Sequence, residues 1–134
     1  VKDLDFGMNE IIVRRGKGGK DRRTVLPATL TECLEAQIDK VRHLHAVDLI
    51  EGYGEVYMPG ALGRKYPAAA KSTGWQFVFP SKNIAVDPAT GVLRRHHMHY
   101  TVFRKALKKA LSATQIRKQV TSHTFRHWFA THLL

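Results

Sequence analysis

The segment Ser122 to Leu134 reads SHTFRHWFATHLL. On a helix, His123 and Arg126 project from one face, three residues apart, and can converge on one group. An imidazole and a guanidinium aimed together suit a phosphoryl group. The arginine forks onto the nonbridging oxygens, and the histidine donates a hydrogen bond or moves a proton. Taken alone, HxxR is also the pattern of a helix with a solvated His and Arg. Lys17 lies in RGKGGKDR, at the tip of a glycine-rich turn. A lysine there reaches into a nucleic-acid groove, or protonates a leaving oxygen if buried beside a phosphate. A solvated hairpin is the plain alternative. The turn is not a phosphate-cradling P-loop, because GxxxxGK[ST] is absent and no helix follows.

A third group is RRHHMHY, Arg94 to Tyr100. His96, His97 and His99 are metal ligands by type, but no nearby Cys, Asp or Glu completes a set, and Arg94 and Arg95 repel a cation. No metal is expected. Imidazole and indole planes match nucleobase faces, so Trp75, His96 and His97 are candidates for stacking on unpaired bases. Within WQFVF, Trp75 is equally a candidate for the core.

The elements that must position these residues follow from periodicity. Glu10 to Arg14 and Arg22 to Leu26 are β-branched runs flanking the glycine-rich turn, which predicts a β-hairpin. Val1 to Phe6 alternates and reads as a preceding strand. Pro27 stops the sheet, and Thr29 with Glu32 forms a capping-box pattern. Leu30, Leu34, Ile38, Val41 and Leu44 predict a helix to the mid-forties. Gly52 to Gly74 is rich in Gly and Pro and reads as a loop-rich excursion with a short helix near Ala61 to Tyr66. Trp75 to Phe79 reads as a short strand or extended segment, and Asp87 to Gly91 as a turn. Tyr100 to Leu111 predicts an amphipathic helix. A last helix from about His123, capped by Thr121 or Ser122, has Phe125, Phe129 and Leu133 as its apolar stripe. The expected fold is α+β and mainly helical: a small antiparallel three-stranded sheet with its hairpin, then helices. The expected division is residues 1–26 for the sheet with the lysine hairpin, 27–50 for a helix, 51–95 for an insertion with extended segments, and 96–134 for helices carrying HxxR.

Composition narrows the partners. In 134 residues, 22 Lys and Arg oppose 11 Asp and Glu, for a net charge of +11. That balance points to a polyanion. The last acid is Asp87, and Pro88 to Leu134 holds nine Lys and Arg and six of the eight His. A second basic focus is Arg14 to Arg23, around Asp21 alone. Two foci separated by a near-neutral span predict a cationic surface assembled by folding rather than a basic tail. A merely solvated cationic surface is the alternative. One cysteine, Cys33, excludes an internal disulfide framework. No apolar run approaches the ~18 residues of a membrane span, so no membrane partner is expected. No secretory signal opens the chain, and a reducing cytoplasm fits. The chain opens on strand-like sequence and closes inside an amphipathic helix without a stop signal, so it is expected to be a piece of a longer protein.

Together, VKDLDF, the RGKGGKDR hairpin followed by VLP, and SHTFRHWFATHLL resemble, in order, the catalytic domain of a tyrosine recombinase. YMPGALGRKYP, WQFVFPS and DPATGVLRRHHMH resemble the integron integrase subgroup. The resemblance covers essentially the whole chain. It implies site-specific DNA recombination, with cassette integration by strand cleavage and rejoining through a 3′-phosphotyrosine, and with no cofactor. It implies that Lys17 is the general acid on the leaving 5′ oxygen, that His123 assists proton transfer and that Arg126 holds the scissile phosphate. It implies that Trp75, Pro88, His96 and His97, with Arg94 and Arg95 beside them, meet bases extruded from a folded single-stranded hairpin. Met58 and Pro59 match an apolar tip acting between subunits of a DNA-bound tetramer. A bacterial, nucleoid-associated location follows. The family's first arginine, its second His or Trp and its tyrosine nucleophile have no match here, since Tyr53, Tyr57, Tyr66 and Tyr100 all precede HxxR. The chain alone is therefore expected to bind DNA, hairpin in preference to duplex, without cleaving it. The alternatives are a duplex-specific phage-type integrase or chromosome-resolving recombinase, which the insertion disfavours, and a non-catalytic basic nucleic-acid-binding module.

Overall fold

A computed structural model describes residues 1–132, with Lys17 described by its backbone alone. The fold is α+β. The chain divides into two compact units, Val1–His97 and Met98–Leu134.

The first unit opens with a three-stranded antiparallel sheet, β1 (Leu4–Asp5), β2 (Glu10–Val13) and β3 (Arg22–Val25), in the order β1-β2-β3. The β-branched runs Ile11-Ile12-Val13 and Thr24-Val25 pair in register, Ile11 with Thr24 and Val13 with Arg22. The hairpin strands thus lie where the alternation predicts them. The first strand is shorter than predicted, because Asp5 turns the chain early by accepting the Met8 N–H at 2.9 Å.

After Leu26, the most deeply buried side chain at 1% exposure, a short 3-10 turn (Ala28–Leu30) leads into α1 (Thr31–Ile50). The expected capping box does not form: Leu30 occupies the cap position without a side-chain bond, and the 3-10 turn absorbs Thr29. Helix α1 runs about one turn beyond the mid-forties. It closes with Gly52 N–H on the Leu49 carbonyl and Tyr53 N–H on the Asp48 carbonyl, a pairing that satisfies the orphan acceptors of a helix end. Leu34, Ile38, Val41, His45 and Asp48 form the inward face at alternating steps of three and four. Ile38 and Val41 of its apolar half are buried, as are Leu26, Val56 and Ala70 elsewhere in the unit. The other half is polar.

The excursion after Gly52 contains α2 (Ala61–Lys65) and 3-10 turns at Pro67–Lys71 and Thr73–Trp75. It is tied to α1 by a buried polar cluster. His45 Nε2 donates to the Gly54 carbonyl at 3.0 Å, and His45 Nδ1 lies 3.3 Å from Thr73 Oγ1. Gln76 Nε2 donates toward the carbonyls of Gly54, Ala70 and Ser72 at 3.3, 3.4 and 3.3 Å. Buried polar groups of this kind are stable only when paired. Trp75 to Phe79 is not a strand: Trp75 ends a 3-10 turn and Gln76 turns inward. The strand starts at Pro80 instead, where β4 (Pro80–Val86) pairs antiparallel with β5 (Leu93–His97). The intervening turn is the predicted one, with Asp87 accepting the Gly91 N–H at 2.7 Å on its carbonyl and the Ala89 N–H at 2.9 Å on its carboxylate.

The second unit contains α3 (Tyr100–Ser112) and α4 (Ser122–His132). His99 caps α3 by accepting the Thr101 N–H at 3.3 Å. Both helices lie within a residue or so of their predicted starts. Leu107, Leu111, Val120 and Phe129 are half-buried, while Phe125 and Trp128 are exposed. The third member of the predicted stripe, Leu133, falls outside the described residues.

Candidate nucleic-acid interface

His123 and Arg126 lie in the first two turns of α4, both exposed, and neither engages an acid among the described residues. The helix start is fixed by Thr121, whose carbonyl accepts the Thr124 N–H at 3.0 Å and whose N–H donates to Thr124 Oγ1 at 3.1 Å. The unit that carries them has seven Lys and Arg and no Asp or Glu. A cleft of about 590 Å3 lies between α3 and residues 118–122, its lining including Phe103, Leu107 and Leu111 together with Arg104, Lys108 and Lys118.

Lys17 belongs to the first unit. Its backbone opens the one-turn 3-10 segment Lys17–Gly19 at the tip of the β2–β3 hairpin. The tip closes by Gly19 N–H on the Gly16 carbonyl at 2.8 Å and Gly16 N–H on the Lys20 carbonyl at 3.0 Å. Gly18 and Gly19 have φ of 81° and 73°, a conformation that side chains resist. Arg15 also takes positive φ, at 48°, and its N–H is held by Asp21 Oδ1 at 2.9 Å. Arg14 bridges Asp3 and Asp21 at 2.8 and 3.3 Å, and Arg23 meets Glu10 at 3.2 Å. Burial pushes the Asp3 carboxyl up, but the Arg14 hydrogen bond, together with Lys2 and the Arg14 charge, holds it below its ordinary value. Arg15, Lys20 and Arg22 make no ion pair among the described residues and supply the hairpin's open positive charge.

The base-contact candidates cluster on the β4–β5 hairpin and the segment before it. Trp75 is half-buried, with the Lys2 ammonium 4.1 Å from its ring centroid, a cation–π contact. The Lys2 N–H donates to the Gly74 carbonyl at 2.8 Å, so the first residues of the chain run beside Trp75. Pro88 is exposed at the hairpin tip. Side chains alternate along β5. His96 shares a face with Arg94. It is half-buried, and its Nε2 is buried with no hydrogen-bond partner among the described residues. His97 shares the other face with Arg95. Its ring meets Phe77 edge to face, 5.5 Å between centroids at 75°. Sequence reasoning missed Phe77, which reads as one more apolar residue of WQFVF.

Arg94 and Arg95 are turned inward. Arg94 is 5% exposed, with Nε 3.3 Å from Asp87 Oδ2 and Nη2 donating to Thr90 Oγ1 at 3.1 Å. The Ala89 N–H outweighs burial and, with Thr90 and Arg94, holds the Asp87 carboxyl below its ordinary value. Arg95 forks onto Asp48, Nε to Oδ2 at 2.6 Å and Nη2 to Oδ1 at 2.7 Å, and its Nη1 reaches the Ser81 and Lys82 carbonyls at 2.9 and 2.7 Å. Asp48 sits in the last turn of α1, where the helix dipole disfavours a carboxylate. The Arg95 guanidinium compensates that charge, and Asp48 in turn holds Arg95 in its charged form more firmly than usual. As placed, the two arginines hold the hairpin to α1 and to its own turn rather than offering charge to a phosphate.

Met58 is half-buried and Pro59 exposed, at the entry to α2, where the Pro59 carbonyl accepts the Leu62 N–H at 3.1 Å. Among the described residues, no three His, Cys, Asp or Glu side chains are placed to hold a metal ion. No described helix is long and apolar enough to cross a membrane.

Two curated relatives, each named Integrase/recombinase, one from Escherichia coli and one from Pseudomonas aeruginosa, are 47% identical over all 134 residues. The chain spans 40% of the length of each. Residues 1–134 also match the Phage integrase family from end to end, so the exposed His123–Arg126 pair and the lysine hairpin stand in a chain that belongs to that family.

Proposed function

We propose that this chain is the phosphate- and base-contacting part of a site-specific DNA recombinase of the integron type, which integrates gene cassettes by cutting and rejoining strands through a 3′-phosphotyrosine. The observation that carries it is the exposed His123–Arg126 pair on α4, in a unit without acids, within a chain that matches the family from end to end. In this reading Arg126 forks onto the nonbridging oxygens of the scissile phosphate, His123 assists proton transfer, and Lys17 protonates the leaving 5′ oxygen. No metal is needed, because the bond energy is conserved in the protein–DNA link. Trp75, Pro88, His96 and His97 meet extruded bases. Arg94 and Arg95 serve that surface by fixing the hairpin. Met58 and Pro59 form an apolar tip for a neighbouring subunit in a DNA-bound tetramer acting in the bacterial cytoplasm.

The reading is tested by binding. A folded single-stranded hairpin with unpaired bases is expected to bind more tightly than a perfect duplex of equal length at one salt concentration. Trp75→Ala should weaken hairpin binding and spare duplex binding at an unchanged melting temperature, whereas Arg126→Ala should weaken both. Equal loss for both DNAs on Trp75→Ala would count against base recognition. A suicide substrate should trap no covalent adduct with this chain, because no tyrosine follows HxxR in it; an adduct would refute that assignment.

A further inference from the structure

We propose that Phe77 and His97 form an aromatic corner that takes one extruded nucleobase, with Asp48 and Arg95 as the positioning residues that hold the corner in place. The proposal rests on the base-recognition reading above and adds Phe77 and Asp48 to it. Phe77 is 37% exposed, and its inner side lines a small cleft with Val41, Leu44 and Pro80. It is therefore an aromatic plane backed by the α1 core with part of its surface open. The His97 ring stands nearly perpendicular to it, at 75° and 5.5 Å. A flat base stacked on either ring presents its edge to the other. One ring supplies stacking and the other reads the edge, a division that a flat aromatic surface does not offer.

What sets this corner is a ladder irregularity. Between the pairs Pro80–His97 and Ile84–Arg95, four steps along β4 face two along β5. The surplus residues of β4 leave carbonyls out of the ladder, and two of these, from Ser81 and Lys82, are the ones Arg95 Nη1 binds. Arg95 is itself fixed by its fork onto Asp48, which is 3% exposed. The Asp48 carboxylate thus pins the bulge, and the bulge decides where His97 falls opposite Pro80 and so how it meets Phe77. Asp48 is buried, so its part is positioning and not contact.

The test uses the full chain and three DNAs at one salt concentration: the folded hairpin with unpaired bases, the same hairpin with those positions abasic, and a perfect duplex of equal length. Phe77→Leu keeps the apolar packing and removes the plane. It should lower affinity for the base-bearing hairpin by about tenfold and leave the other two DNAs nearly unaffected, while Phe77→Tyr retains binding to all three. Asp48→Asn and Arg95→Lys, which keep polarity but lose the charged fork, should show the same DNA pattern more weakly, with a shifted His97 imidazole resonance in the free protein. Unchanged binding of the base-bearing hairpin by Phe77→Leu would overturn the corner. Equal loss on all three DNAs would overturn it too. If Phe77→Leu fails to fold, Asp48→Asn and Arg95→Lys decide the matter, and unfolding of these as well would assign the whole arrangement to fold stability and overturn the proposal. If the unmutated chain itself does not distinguish the base-bearing from the abasic hairpin, base recognition fails, and the corner falls with it.

Discussion

Arg95 uses four of the five N–H donors of its guanidinium inside the protein. By sequence it and Arg94 belong to a cationic stretch suited to phosphate. Their inward placement was not legible there, because the acids that hold them are Asp87, seven residues before Arg94, and Asp48, on a helix 47 residues before Arg95. Replacing Arg95 by Met should strand the Asp48 carboxylate and cost about 3–5 kcal/mol in urea unfolding. The number of phosphates contacted on duplex DNA should not change, so the slope of log affinity against log salt should match the unmutated chain. Arg126→Ala should instead shallow that slope by about one. Asp87 makes a prediction about acid. Its carboxyl is held below the ordinary 3.8 of an unfolded chain. The folded state therefore binds that proton less readily, so its contribution is complete above that value and fades as the pH falls through the folded one. Melting temperatures followed below that point should fall less steeply in Asp87→Asn than in the unmutated chain.

Elements set by local pattern were readable, and those set by distant partners were not. The β2–β3 hairpin, α1, α2, α3 and α4 follow from β-branched runs, glycines and helical apolar spacing. The β4–β5 hairpin was hidden, although its Asp87–Gly91 turn was read. Its second strand, LRRHH, carries an apolar residue only at its start, so alternation gave no signal. The strand expected at WQFVF failed for a related reason: Gln76 is drawn inward by the Gly54, Ala70 and Ser72 carbonyls, and none of these is visible as a partner in a one-dimensional pattern. Gly54, whose carbonyl joins that cluster, is the element's tightest point. A Cβ there would lie 2.6 Å from Leu49 Cγ and 2.8 Å from the Leu49 nitrogen. Gly54→Ala should cost about 1–3 kcal/mol by thermal unfolding. At the β2–β3 tip, Gly18→Val should cost roughly 1–2 kcal/mol from its positive φ, since beyond the chain neighbours nothing lies within 4 Å of the new Cβ.

Over the whole molecule, charge is unevenly paired. In the first unit Asp3, Glu10, Asp21, Asp39, Asp48 and Asp87 each hold a Lys or Arg. In the second, seven Lys and Arg have no acid of their own unit to meet. Affinity for DNA should therefore fall steeply and linearly on a log–log plot as salt rises. The same imbalance acts on the protein when no DNA is present. Seven like charges, five on the two helices and two on the segment between them, repel one another, and that self-repulsion works against the folded state. Any multivalent anion that gathers among them relieves it, and a ligand bound only by the folded form raises stability in proportion to the logarithm of its concentration over its dissociation constant. Inorganic phosphate or heparin should thus raise the melting temperature at constant ionic strength, where sodium chloride does so weakly. The segment proposed to meet a nucleic-acid backbone would then owe part of its own order to having one in place.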